Sequence, residues 1–198
     1  SEETEKIVEN CKNKLGNVFI INEIPIFVNI FYGIATFDKD EESFISFLHR
    51  GRIAVDKAIH NNSEIALFEP EDEVQLLRNA KIIHDLSKAI SSDELTLFYQ
   101  PQITFESGKT KRLEALIRWP HPELGMISPA EFIPLAEGTL LINPFTKWLL
   151  EKALFQLSLL LGKGLDVCIS LNFSMKNFYE AALFDLIDQT LKKYNIPP

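Results

Sequence analysis

From Glu94 onward the chain switches repeatedly between short runs that alternate apolar and polar residues and longer runs with a helical apolar period. That rhythm limits the possible folds more than any other feature. Residues 95–103, 112–119 and 166–173 read as strands. A short helix is expected around 129–136, a longer one over 144–161 and a third over 176–194. Strand–helix–strand alternation of this kind argues for an α/β fold with parallel strands. No internal repeat of fixed period and no low-complexity tract interrupts it.

The upstream part has a different character. Residues 5–14 form a charged, modestly amphipathic helical stretch, and residues 17–21 and 26–36 are strand-like runs rich in Val, Ile and Phe. Asn22-Glu23-Ile24-Pro25 between them reads as a turn, so a hairpin is expected. Residues 43–60 read as a helix with Phe44, Phe47, Leu48 and Ile53 on one side, and residues 65–68 as a short buried strand that stops at Pro70. Glu71, Asp72 and Glu73 place negative charge where a helix macrodipole favours it. Val74, Leu77, Ile82, Leu86 and Ala89 then follow near a helical period. A helix between two folded parts is a natural connector. The expected organisation is therefore residues 1–70, a linker helix over 71–91, and a second domain over 92–198.

Composition narrows the function. The net charge is −8 and the pI about 5.1, opposite to the Lys/Arg footprint that a grip on polymeric nucleic acid requires. A compact anion escapes that exclusion, because one or two Arg and carboxylate-bound cations suffice to hold it. Cys11 and Cys168 form no Cys-x-x-Cys pair, which points to a reducing cytoplasm rather than a disulfide framework. The longest apolar stretch, 148–161, is broken by Glu151, Lys152, Gln156 and Ser158 and is too polar and short to cross a bilayer. No signal-peptide pattern opens the chain, and a first residue of Ser implies that something upstream has been removed.

The chemistry-bearing residues concentrate on two strands. Side chains two apart share a face, so Glu114, Leu116 and Arg118 point one way and Leu113, Ala115 and Ile117 the other. Glu114 and Arg118 are roughly 13 Å apart along the strand, too far to pair. Two readings follow: surface charges on a half-exposed strand, or an inward Glu whose partner is a metal ion. On the third strand Cys168, Ser170, Asn172 and Ser174 share a face opposite Ile169, Leu171 and Phe173. Polar groups near the C-terminal ends of successive strands occupy the end where parallel α/β folds bind ligands. The four histidines, His49, His60, His84 and His121, show no zinc pairing, and His121 in Trp-Pro-His-Pro reads as a loop residue. Gly162-Lys163-Gly164 reads as a helix C-cap and turn.

Several linked stretches resemble one family. Leu97-Phe98-Tyr99-Gln100-Pro101-Gln102 and Leu113-Glu114-Ala115-Leu116-Ile117-Arg118-Trp119-Pro120-His121-Pro122 are similar to the opening strands of EAL domains. Gly125-Met126-Ile127-Ser128-Pro129-Ala130-Glu131-Phe132-Ile133-Pro134-Leu135-Ala136-Glu137 continues the pattern, and Ser170-Leu171-Asn172-Phe173-Ser174 resembles the next signature strand. More loosely, Phe31-Tyr32-Gly33-Ile34-Ala35 and the helix and strand after it resemble the C-terminal half of a GGDEF domain.

The resemblance implies the N-terminal part of a modified, TIM-like (β/α)8 barrel behind a degenerate α+β GGDEF-like half-domain. It implies a cytoplasmic phosphodiesterase that converts cyclic di-GMP to its linear dinucleotide with Mg²⁺ or Mn²⁺. By motif, Glu114 and Asn172 would be metal ligands in the catalytic centre, Arg118 would bind a ligand phosphate, and Gln100, Leu116 and Pro129 would line the nucleotide site. A homodimer through the EAL part and an upstream sensor domain are compatible with this reading, and the sequence leaves open whether the parent protein is membrane-tethered. The chain departs from the pattern at Ala136-Glu137-Gly138-Thr139-Leu140-Leu141-Ile142, where the family usually reads Ala-Glu-Glu-Thr-Gly-Leu-Ile. A whole barrel takes about 250 residues, so a piece of a longer GGDEF–EAL protein is expected. The alternative is an inactive module that senses cyclic di-GMP without cutting it.

Overall fold

The computed structural model describes residues 2–15, 18–37, 43–103, 108, 110–179 and 182–197. The chain divides into two compact units, Ser1–Leu77 and Arg78–Pro198, and one helix runs through the division.

In the first unit, α1 (Glu2–Leu15) precedes an antiparallel hairpin of β1 (Val18–Ile21) and β2 (Ile24–Phe27). Asn22 and Glu23 both have positive φ, 49° and 67°, the geometry of a two-residue turn whose twist matches its strands. Asn17, where the first strand-like run begins, lies outside the described residues. The run 26–36 is not one strand. It breaks after Phe27, and β3 (Tyr32–Ile34) joins a different sheet, pairing in parallel with β4 (Ile65–Leu67). Between them α2 (Phe44–His60) starts at Ser43, whose hydroxyl accepts the Ser46 N–H at 3.2 Å. The buried stripe of α2 is Ile53, Ala54 and Ala58, and Phe44 and Leu48 are exposed. In β4 only Ala66 is buried, because the residues on either side of it face outward.

Gly33 is fixed by the closeness of α2. A Cβ there would lie 2.5 Å from the Val55 backbone nitrogen and closer still to the Gly51 carbonyl oxygen. Backbone cannot yield as a side-chain tip can, so Gly33→Ala is expected to cost about 2–3 kcal/mol. A urea titration of the chain checks this, and an unchanged midpoint would contradict the close approach.

The connector helix, α3 (Pro70–Ser91), buries Ile82, Leu86 and Ala89. Four strands follow it: β5 (Thr96–Ile103), β6 (Thr110–His121), β7 (Gly125–Ile127) and β8 (Cys168–Ser170). The expectation of parallel strands holds only in part. β6 pairs antiparallel with β5 and β7, and only β8 runs parallel to it. The link from Ile103 to Thr110 is too short for a parallel crossover, which needs a dozen or more residues. β8 does follow a helical crossover, made by α4 (Pro129–Glu137) and α5 (Ile142–Gly162).

The residues opposite Glu114, Leu116 and Arg118 form the core. Ile117 and Trp119 pack with Ile82, Leu86, Ile127, Phe132, Phe145 and Leu149, while Ala115 is buried beside them. A second cluster joins Leu150, Leu154 and Leu157 of α5 to Ile169, Leu171 and Phe173 and to Leu183 of α6 (Ala182–Lys193). The helix expected over 176–194 is thus split, with a 3-10 turn at Met175–Tyr179 ahead of α6. At the end of α5, the Leu165 N–H reaches the Leu160 carbonyl at 3.2 Å and Gly164 takes φ 79°, the C-terminal cap expected there. Among the described residues, no helix is long and apolar enough to cross a membrane.

Candidate functional site

Strand register brings the site residues together. Gln100 of β5 sits directly across from Glu114, and Ser170 of β8 flanks Glu114 on the other edge. Directly opposed residues share a face, so Gln100 and Phe98 extend the Glu114–Leu116–Arg118 face across the sheet. All three of those β6 residues are half-buried, whereas Ala115, Ile117 and Trp119 are buried behind them.

Asn172 follows β8 by two residues, and its side-chain amide donates to the Glu114 carboxylate, Nδ2 to Oε1, at 3.1 Å. Gln102 Nε2 approaches the other oxygen at 3.5 Å, the outer limit of a hydrogen bond. Arg118 turns along its own strand. Nη1 donates to the Ile117 carbonyl at 2.7 Å and the guanidinium lies 5.7 Å from the centre of the Phe98 ring. The expected separation of Glu114 from Arg118 holds, since each has its own partner.

A cavity of about 100 Å³ joins Leu116, Arg118, Pro129 and Asn172 over a floor of Ile133, Phe145 and Leu149. Pro129 stands there because Ser128 caps α4, accepting the Ala130 N–H at 3.3 Å, and a proline at the first helical position lacks only a donor that has no partner there anyway. Four of the six site residues expected from sequence therefore line one cavity, Glu114 is bonded to one of those four, and Gln100 faces Glu114. A larger hollow, about 620 Å³, lies at the opposite end of β6 and β8, lined by Gln102, Lys111, Arg112, Asp166 and Cys168. None of the six is among the residues that line it.

Sequence reasoning missed three contributors. Phe98 forms the platform under Arg118, and the two-residue period that grouped Glu114 with Arg118 places it on the same face as Gln100. Phe145 and Leu149 of α5 build the floor, a long-range placement that no local pattern carries. His121 was misplaced. It ends β6 rather than lying in a loop, and it is 6% exposed. Its Nδ1 accepts the N–H groups of Glu123 (3.1 Å) and Leu124 (3.0 Å), which puts the ring proton on Nε2, 3.0 Å from the Asp85 carboxylate. That bond, together with Lys81, holds the Asp85 carboxyl below its ordinary value. Pro120 is tolerated in the strand because residues 119–121 pair with β7 only.

The altered loop after α4 is closed on itself. Thr139 Oγ1 donates to the Ala136 carbonyl at 3.0 Å and accepts the Leu141 N–H at 3.2 Å. Lys176 Nζ donates to the Glu137 carbonyl at 2.6 Å, tying that loop to the segment after Asn172.

Glu114 supplies a carboxylate, and the Asn172 amide whose N–H it accepts also carries an oxygen, the donor type that Mg²⁺ and Mn²⁺ select. Among the described residues, no three His, Cys, Asp or Glu side chains cluster as a cation cage. The pair therefore fits part of such a coordination shell.

Comparison with known proteins gives the family. The EAL domain model matches residues 83–198. The chain is 30% identical over 201 residues to a cyclic di-GMP phosphodiesterase of Pseudomonas aeruginosa, covering 98% of this chain and 34% of that protein. It is 29% identical to the bifunctional diguanylate cyclase/cyclic di-GMP phosphodiesterase MucR of the same organism, over 97% of this chain and 28% of MucR. Among solved structures, the PaMucR phosphodiesterase in complex with c-di-GMP superposes with TM-score 0.57 at 38% identity, over 60% of this chain and 48% of that one. The S helix-GGDEF-EAL part of Vibrio cholerae LapD covers 82% of this chain, with 38% of its own length matched, at TM-score 0.53 and 19% identity, a likeness of fold alone. This chain belongs to the EAL-domain family. It spans about a third of the length of the curated relatives it matches.

Proposed function

We propose that the second unit binds cyclic di-GMP at the C-terminal ends of β6 and β8 and supplies the first metal ligands for hydrolysing it to the linear dinucleotide. The observation that carries this reading is the Glu114–Asn172 bond beside a cavity lined by Arg118 and Pro129. Arg118 is the phosphate-binding cation. A guanidinium offers a planar fork to phosphate oxygens, and its present bond to a neutral carbonyl is weaker than a charge-assisted one. Leu116, Pro129 and the Phe145–Leu149 floor give a nucleoside an apolar wall, and Gln100 gives it a hydrogen-bonding edge.

Glu114 and Asn172 would hold Mg²⁺ or Mn²⁺. A half-turn of the Asn172 amide presents its oxygen instead of its N–H, which changes the two side chains from a hydrogen-bonded pair into neighbouring ligands. The ion would lower the pKa of a bound water and offset charge developing at phosphorus. Residues 1–70 we assign to the C-terminal half of a degenerate GGDEF-like domain and 71–91 to the linker. The likeness to MucR along nearly the whole chain supports this, as does the extent of the fold match to LapD.

Titration calorimetry of cyclic di-GMP into the chain, with and without Mn²⁺, tests the reading. Arg118→Ala is expected to weaken binding at least about ten-fold, since a charge-assisted hydrogen bond contributes about 1.5–3 kcal/mol. Equal affinity of variant and parent would remove Arg118 from the site.

A further inference from the structure

We propose that the polar edge of α3 is a positioning device for this site, with Arg78 and Asp85 setting the spacing between Arg118 and Pro129. The inference rests on the cyclic di-GMP reading for its ligand, but its geometry stands apart from it. Arg78, Lys81 and Asp85 are three and four residues apart and so line one edge of the helix, beside the buried Ile82, Leu86 and Ala89. Each grips the chain between Arg118 and Pro129 or just beyond it.

Arg78 makes a two-pronged bond to Glu131, Nε to Oε1 at 2.5 Å and Nη2 to Oε2 at 3.2 Å. Glu131 lies in the first turn of α4, two residues after Pro129. Asp85 accepts the Nε2–H of buried His121, which ends β6 three residues after Arg118. Lys81 bridges Asp85 at 3.2 Å and Glu123 at 3.1 Å, in the turn between those two anchors. The segment joining the two cavity-lining residues is therefore pinned at both ends and in its middle to one helix.

None of these three α3 side chains lines the cavity. They act through what they hold, and a shift of α3 along its axis would carry Glu131 and His121 with it. That gives the connector helix a direct mechanical line to the phosphate-binding end of the site.

Two readouts test the proposal on the full chain: cyclic di-GMP affinity by calorimetry, and amide hydrogen exchange of residues 119–132 against residues 96–103 as the internal control. Arg78→Ala is expected to weaken binding about five-fold or more and to speed exchange in 119–132 alone. Reversing the ion pair, Arg78→Glu with Glu131→Arg, should recover much of both effects, and Arg78→Lys should recover less, having charge without the fork. Faster exchange with unchanged affinity would reduce the pair to scaffolding and overturn the proposal. Unchanged exchange would overturn it too. A parent chain that takes up no cyclic di-GMP would sink the ligand reading by itself, and the exchange contrast would still decide whether α3 fixes the 119–132 segment.

Discussion

Exchanging Glu114 for Gln in a full-length protein that carries these 198 residues is expected to lower cyclic di-GMP hydrolysis at least about 100-fold. Gln keeps the shape of Glu and can still bond to Asn172, so the strand pairing of β6 with β5 and β8 should survive. What disappears is the negative charge. A neutral amide oxygen is a far poorer donor to a hard divalent cation than a carboxylate. Product formation followed by chromatography measures the loss, and thermal unfolding of the same sample checks that the fold is intact. A Glu114→Gln protein that turns over at the parent rate would mean the carboxylate is structural, a partner for the Asn172 amide and nothing more.

The separation of these outcomes depends on which parts of the site are local and which are not. Glu114, Leu116 and Arg118 were readable from sequence because a period of two is a property of the strand itself. Their joining to Asn172 was implied only by the family resemblance, because no local period carries it and it needs the α4–α5 crossover to return β8 beside β6. The direction of β5 was readable in principle: six residues between Ile103 and Thr110 admit only an antiparallel return, and the α/β rhythm that follows masked this. β7 has three residues, too few for any period to register. The apolar run 26–36 is uniform in composition yet serves two sheets, and hydrophobicity does not say which partner a strand will choose. Two prolines around His121 suggested a loop. The histidine instead satisfies the turn's N–H groups itself and bonds Asp85 of α3, and propensity does not register that long-range polar contact.

The other large effect concerns the hidden face of the same strand. Trp119→Ala is expected to cost about 3–5 kcal/mol, read as a shift in the urea midpoint through the fluorescence of the remaining Trp148. Trp119 is 0% exposed and meets the His121 and Phe132 rings edge to face at 5.5 and 5.4 Å. Removing the indole empties the junction of α3, β6 and α4. Trp119→Phe should be far milder, about 1 kcal/mol or less. Among the described residues the buried indole N–H has no hydrogen-bond partner, and a buried unmet donor costs about 1–3 kcal/mol. Phe discards that donor while keeping an aromatic edge against Phe132, so the smaller ring's void is partly offset. A Trp119→Phe protein as unstable as Trp119→Ala would show that the indole N–H does have a partner, and a Trp119→Ala protein within about 1 kcal/mol of the parent would show that β6 is not anchored through this residue. Because Arg118 and His121 flank Trp119 on the strand, its loss should also loosen the grip of α3 on β6, so Trp119→Ala should weaken cyclic di-GMP binding without touching the cavity, whereas Trp119→Phe should leave it close to the parent's.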